Sequence, residues 1–104
     1  MVTNFLIKTR RKFKYDITIF QTPAYGQQTG YKPVYRLYVE GSNHHDAINY
    51  VYRIFNINDL MPKDYQARYI NTGDILFFDE GRNGHSYYKL CTGGWKKVNR
   101  FLIR

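Results

Sequence analysis

The sequence predicts an α+β fold, an antiparallel sheet of about four to five strands with one helix packed on one face. Three observations carry that prediction. Segments 15–20 and 34–39 alternate like strands and flank a loop holding Pro23, Gly26, Gly30 and Pro33. Segment 44–55 spaces its apolar residues at helical intervals. Beyond it, short apolar and aromatic runs are separated by tight glycine-containing turns, the pattern of a β-meander.

In chain order, Phe5, Leu6 and Ile7 read as a short strand or packed arm. Residues 8–14 then concentrate positive charge around Phe13. Residues 1–14 are therefore expected as a basic arm or short strand, followed by a single domain over 15–104. In 15–20, Tyr15, Ile17 and Ile19 share one face, with Asp16, Thr18 and Phe20 on the other. Such β-branched and aromatic residues suit a pleated strand. Tyr35, Leu37 and Val39 repeat the pattern.

The link between these strands is long beside the about two to five residues of an ordinary hairpin. It has no helix able to make a parallel crossover, so the strands are expected antiparallel. Gln21, Thr22, Tyr25, Gln27, Gln28 and Tyr31 give it amide and phenol groups with little charge. A long connection held by two strands is a place for binding.

Ser42 or Asn43 is positioned to cap the helix, and Asp46 puts negative charge in its first turn. Ala47, Ile48, Val51, Ile54 and Phe55 form its apolar stripe, while Asn49, Arg53 and Asn56 form a polar side. Pro62 is expected to open one helical turn through residue 66. Thr72, Gly73 and Asp74 mark a turn. Residues 75–78 then read as a strand buried on both faces. Residues 79–84 turn, 85–91 return, and 95–103 make a last strand after a turn at 92–94. In that strand Val98 and Leu102 share one face; Trp95, Phe101 and Ile103 share the other.

The 104 residues suffice for one domain, and 43% hydrophobic with 18% aromatic content opposes disorder. Sixteen basic against eight acidic side chains give a net charge of +8, which favours nucleic acid, anionic lipid or an acidic protein surface. Lone Cys91 precludes an intramolecular disulfide, fitting a reducing cytoplasm. Neither a signal peptide nor a membrane span is expected, and the protein is expected to be soluble.

Candidate chemistry is sparse. His44 and His45 are adjacent, so on a helix they diverge and do not make the i,i+4 metal pair. Exposed positions at the helix start are expected for both. His85 and Cys91 fall on one strand face but about 20 Å apart along a regular strand, too far for thiol activation. Asp74, Asp79 and Glu80 read as turn residues beside an apolar strand. Residues 81–84 lack the strand–loop–helix setting of a phosphate loop. No catalytic residue, metal or cofactor is therefore expected. Lys96, Arg100 and Arg104 alternate along the last strand, a strip able to follow phosphates with Tyr87, Tyr88 and Trp95 as stacking platforms. The same charges also protect a sheet edge from aggregation, and that reading is preferred.

Residues 19–27 (Ile-Phe-Gln-Thr-Pro-Ala-Tyr-Gly-Gln) and 30–36 (Gly-Tyr-Lys-Pro-Val-Tyr-Arg) resemble the opening of the YodL-like domain family. Residues 64–75 (Asp-Tyr-Gln-Ala-Arg-Tyr-Ile-Asn-Thr-Gly-Asp-Ile) look like its second recurring block, and Tyr87, Tyr88 and Gly94-Trp95-Lys96 extend the likeness. The resemblance implies a small cytoplasmic protein of spore-forming bacteria, linked to cell shape through the actin-like filament proteins MreB and Mbl. It supplies no active site.

On this resemblance the leading expectation is a non-enzymatic modulator of such filaments. Tyr25, Gln27, Tyr31 and Arg36 are the preferred contacts, followed by Tyr65, Arg68 and Asp74. Arg68 paired with Asp74 would alternatively brace the middle loop. The other expectation is a small basic nucleic-acid-binding module using Lys96, Arg100, Arg104 and Trp95.

Overall fold

A computed structural model of the protein describes residues 12–99, within which five strands form one antiparallel sheet and a single α-helix crosses one face. The strands are β1 (Phe13–Gln21), β2 (Lys32–Gly41), β3 (Ile75–Asp79), β4 (His85–Cys91) and β5 (Gly94–Val98), in the spatial order β2-β1-β3-β4-β5. The helix α1 spans His44–Ile54 between β2 and β3. Thus the chain makes a hairpin, crosses the sheet with its helix, and returns as a three-stranded meander beside β1. The α+β architecture expected from the sequence is the one observed.

β1 begins two residues before the alternation that announced it, and Gln21 continues that alternation at its far end. Tyr15, Ile17, Ile19 and Gln21 are all buried toward the helix. β1 pairs with β2 from Phe13↔Gly41 to Gln21↔Lys32, with an irregularity between Ile19 and Phe20. Pro33 lies opposite Phe20. Proline lacks an amide donor, and the edge position of β2 leaves its outer side without a strand to pair with.

Asn43 is the helix N-cap; its side-chain oxygen accepts from the Asp46 amide at 2.8 Å. Asp46 in turn accepts from the Ser42 amide at 3.2 Å and from the Ser42 hydroxyl. The first turn is therefore closed from both sides. Ala47, Ile48, Val51, Ile54 and Phe55 are buried as the periodicity required. They meet Tyr15, Ile17, Ile19, Val39, Leu76 and Phe78 in one hydrophobic core.

Register assigns the two faces of the sheet. Ile17↔Phe78, Leu76↔Tyr88 and Leu90↔Trp95 place Tyr88, Leu90 and Trp95 on the helix side. Thr18↔Phe77, Phe77↔Tyr87 and Lys89↔Lys96 occupy the opposite, outer face. Ile75, Leu76 and Phe78 are fully buried while Phe77 is half-buried, so β3 is enclosed on both sides over most of its length.

Three local expectations change. Pro62 opens a single turn, closed by Tyr65 N–H to the Pro62 carbonyl at 3.1 Å; the short 3₁₀ helix lies earlier, at Asn58–Leu60. Among the described residues β5 ends at Val98, with Asn99 outside the strand; the rest of the expected last strand, with Phe101, Leu102 and Ile103, lies outside the described residues. His44 is not an exposed helix-start residue, since its ring stacks over Phe78 at 4.4 Å, whereas His45 is exposed. Phe5, Leu6, Ile7 and residues 8–11 of the basic arm also lie outside the described residues.

Candidate functional site

The two sequence blocks come together at one end of β1. Gln21, 2% exposed, is carried inward by the strand alternation and donates through Nε2 to Asp74 Oδ2 at 2.9 Å and to the Arg68 carbonyl at 3.1 Å. Asp74 is 1% exposed and also accepts from the Asn71 amide at 2.8 Å and Arg68 Nη2 at 3.1 Å. Arg68 Nη1 donates to the Thr22 carbonyl at 2.7 Å. A buried carboxylate needs this many donors, because removing its charge from water is costly.

Two tyrosines extend the brace. Tyr31 Oη donates to the Gly73 carbonyl at 2.5 Å, and Tyr65 Oη donates to the Arg68 carbonyl at 2.5 Å. Gly73 has φ +99°, a left-handed conformation suited to glycine. Its amide donates to the Leu90 carbonyl at 2.7 Å, and the Leu90 amide donates to the Asp74 carbonyl at 3.0 Å, tying the segment to β4. Thr22 and Tyr31, at the two ends of the β1–β2 loop, are thus fixed to residues 68–74.

Burial pushes the Asp74 carboxyl above its ordinary 3.8, while the Asn71 amide, Gln21 and Arg68 pull the other way. Burial, followed by the charge of Asp74, raises the Tyr65 phenol to about 12. The same two causes, burial first, raise Tyr31.

Of the anticipated protein contacts, Tyr31, Tyr65 and Asp74 are therefore internal. Their hydroxyls and carboxylate are turned to the brace. Arg68 is partly exposed but directed to Thr22 and Asp74, which is the structural pairing considered from sequence. Tyr25, at 59% exposure, and Gln27 stand on the loop surface. Arg36 lies on the outer sheet face, bidentate to Asp16 at 2.9 and 2.6 Å and over the Tyr38 ring at 5.6 Å. The Asp16 carboxylate holds the Arg36 guanidinium in its charged form even more firmly than usual.

The anticipated nucleic-acid strip divides between faces. Trp95 lies on the helix side and meets Tyr52 edge-on at 6.3 Å, whereas Lys96 lies on the outer face. Trp95 and Tyr88 therefore cannot serve as stacking platforms beside Lys96; Arg100 and Arg104 lie outside the described residues. The outer face instead groups Lys89 and Lys96 with Phe77 and Tyr87, whose rings stack at 4.7 Å. Phe77 and Lys89 escaped the sequence reading because only inter-strand register gathers them.

A second group of residues also went unseen. His44 Nδ1 lies 2.7 Å from Tyr88 Oη and its Nε2 lies 3.0 Å from Glu80 Oε1. Both imidazole nitrogens are engaged, so neither can meet a ligand without giving up a bond. The join depends on α1 starting above the β3–β4 turn, a tertiary relation with no spacing signal. Among the described residues, no His, Cys, Asp and Glu side chains are grouped to hold a metal ion. No helix among them is long and apolar enough to cross a membrane.

No family profile matches the chain, and no solved structure matches it. A protein of Bacillus subtilis (strain 168) described as "Uncharacterized protein YodL" is 44% identical over 95 residues, covering 91% of each chain. That degree of identity across nearly the whole length places the chain in the YodL family.

Proposed function

We propose that the chain is a non-enzymatic, cytoplasmic protein-binding module that modulates actin-like filaments of the MreB and Mbl type, and through them cell shape during sporulation. The observation supporting a binding role is the brace beneath the β1–β2 loop. Gln21–Asp74, Arg68–Thr22 and Tyr31–Gly73 hold both ends of a loop whose tip exposes Tyr25 and Gln27. A surface fixed before binding loses less conformational entropy when its partner arrives. Tyrosine and arginine supply both contact area and directed hydrogen bonds, which suits Tyr25 and Arg36 to this role. The choice of partner rests on the family resemblance.

Cosedimentation of the purified protein with polymerised MreB or Mbl tests the proposal. Saturable pelleting is expected, weakened by Tyr25→Ala or Arg36→Ala in variants of unchanged melting temperature. Absence of pelleting with both filaments would remove it.

Nucleic-acid binding is a second reading, now on the outer face. Lys89 and Lys96 are direct cross-strand partners, and neither has an ion-pair partner among the described residues. Like charges placed opposite one another are unfavourable, and an approaching phosphate would relieve the repulsion beside the Phe77–Tyr87 stack. A labelled single-stranded oligonucleotide should bind with a steep salt dependence. Each of Lys89→Gln and Lys96→Gln should reduce the log–log slope by about 0.7.

A further inference from the structure

On the helix side of the sheet, a cleft of about 520 Å³ opens where α1 begins. Tyr15, His44, Tyr88 and Trp95 give it aromatic walls, with Ile48 and Asn43 completing much of the lining. His44 stands edge-to-face with Tyr15 at 5.2 Å and 81°, and with Tyr88 at 5.6 Å and 88°. These near-perpendicular rings form adjoining walls rather than one flat stack. The volume is that of a small-molecule site.

The electrostatics select the ligand's charge. No lysine or arginine lines the cleft; its two basic side chains are His44, which meets Glu80 at 3.0 Å, and the exposed His45. Lys97 faces Tyr88 across the β4–β5 ladder, but it is exposed and outside the lining. Glu80 lies directly behind His44, and Asp46 is on the first turn of α1. Burial is the main reason the Tyr15 and Tyr88 phenols are held above their ordinary range; Glu80 raises both further, and Asp46 also raises Tyr15. The carboxylate field therefore reaches two walls of the cleft. The helix start does not offset it with an anion site, since Asn43 takes the Asp46 amide and Asp46 takes the Ser42 amide.

We propose that this cleft binds a small organic ammonium ion, free in solution, through the faces of Tyr15, Tyr88 and Trp95 and the field of Glu80. Aromatic rings attract such cations through their negative faces, more strongly where water is excluded. The assignment is independent of filament binding and uses none of the loop residues placed there.

Trp95 is the sole tryptophan, so its fluorescence reports on the cleft directly. Choline is the probe, and 3,3-dimethylbutan-1-ol is its neutral counterpart of similar shape. Choline should quench or shift Trp95 emission saturably, with the alcohol about tenfold weaker. Glu80→Gln, which retains an amide oxygen toward His44, should weaken choline severalfold without altering binding of the alcohol. Unchanged filament cosedimentation in that variant keeps the two readings separate. Equal affinity for choline and the alcohol, or no saturation, would overturn the proposal. Tighter binding of Nα-acetyl-lysine amide than of choline would overturn the free-ion assignment in favour of a peptide side chain. Should Glu80→Gln fail to fold, the choline–alcohol comparison on the unaltered protein decides the matter alone.

Discussion

Gln21 Nε2 and Asp74 Oδ2 lie 2.9 Å apart, joining positions separated by 53 residues through a hydrogen bond buried at both ends. The contact sets where the middle segment meets β1. Replacing Gln21 by Leu removes a donor from a carboxylate that water cannot reach, and should cost about 1–3 kcal/mol. Gln21→Glu should cost more, because it places a second carboxylate against the first. Urea denaturation with an unchanged m value is the appropriate measurement.

The charge on Asp74 gives that brace an unusual pH dependence. Its folded carboxyl titrates above 3.8, chiefly because of burial, so its stability contribution is fully present below the unfolded value and declines as pH rises through the folded one. Asp74→Asn has no charge to bury. Its stability relative to the natural chain should therefore rise as pH climbs from 3.8 through the raised value. Paired thermal melts across that window test the sign, and a relative stability that fell would contradict it.

Tyr25 and Tyr31 are six residues apart in one loop yet should behave oppositely. Tyr31→Phe deletes the hydroxyl bonded to the Gly73 carbonyl and should cost about 1 kcal/mol. Tyr25→Ala changes a side chain 59% exposed and should leave stability within about 0.5 kcal/mol. If the filament reading holds, Tyr25→Ala should be the one that loses pelleting.

Gly30 and Gly26 separate backbone strain from crowding. Both have positive φ, +84° and +92°. An added Cβ at Gly30 would lie 3.3 Å from Pro23 Cδ, whereas one at Gly26 meets nothing within 4 Å. Alanine at either should cost about 1–2 kcal/mol for the left-handed backbone, with Gly30→Ala the worse of the two. Differential scanning calorimetry of the pair would show the order.

Hydrophobic periodicity made the sheet and helix legible. Tyr15, Ile17 and Ile19 face the core, and Ala47, Ile48, Val51 and Ile54 cover them, because alternation and helical spacing report directly on which side is dry. The brace was only half visible. Arg68 and Asp74 are close in sequence and suggested a pair, but Gln21, Tyr31 and Tyr65 looked like surface groups until distant backbone carbonyls and a carboxylate met them. Polar side chains carry no periodic mark of burial. His44 illustrates the same limit: its position at a helix start suggested solvent, while packing under Tyr88 and over Phe78 decided otherwise.

The place of β1 between β2 and β3 also sets an order of events during synthesis. The β1–β2 hairpin can form as soon as residue 41 has emerged from the ribosome, but the other edge of β1 awaits residues 75–79. Until then the nascent hairpin carries a bare hydrogen-bonding edge and an apolar face made by Ile17 and Ile19. The helix, arriving next in sequence, can cover that face before the edge is closed. A chain stalled between residues 55 and 74 would expose the unpaired edge of β1 to neighbouring nascent chains, and its aggregation should fall sharply once β3 is released.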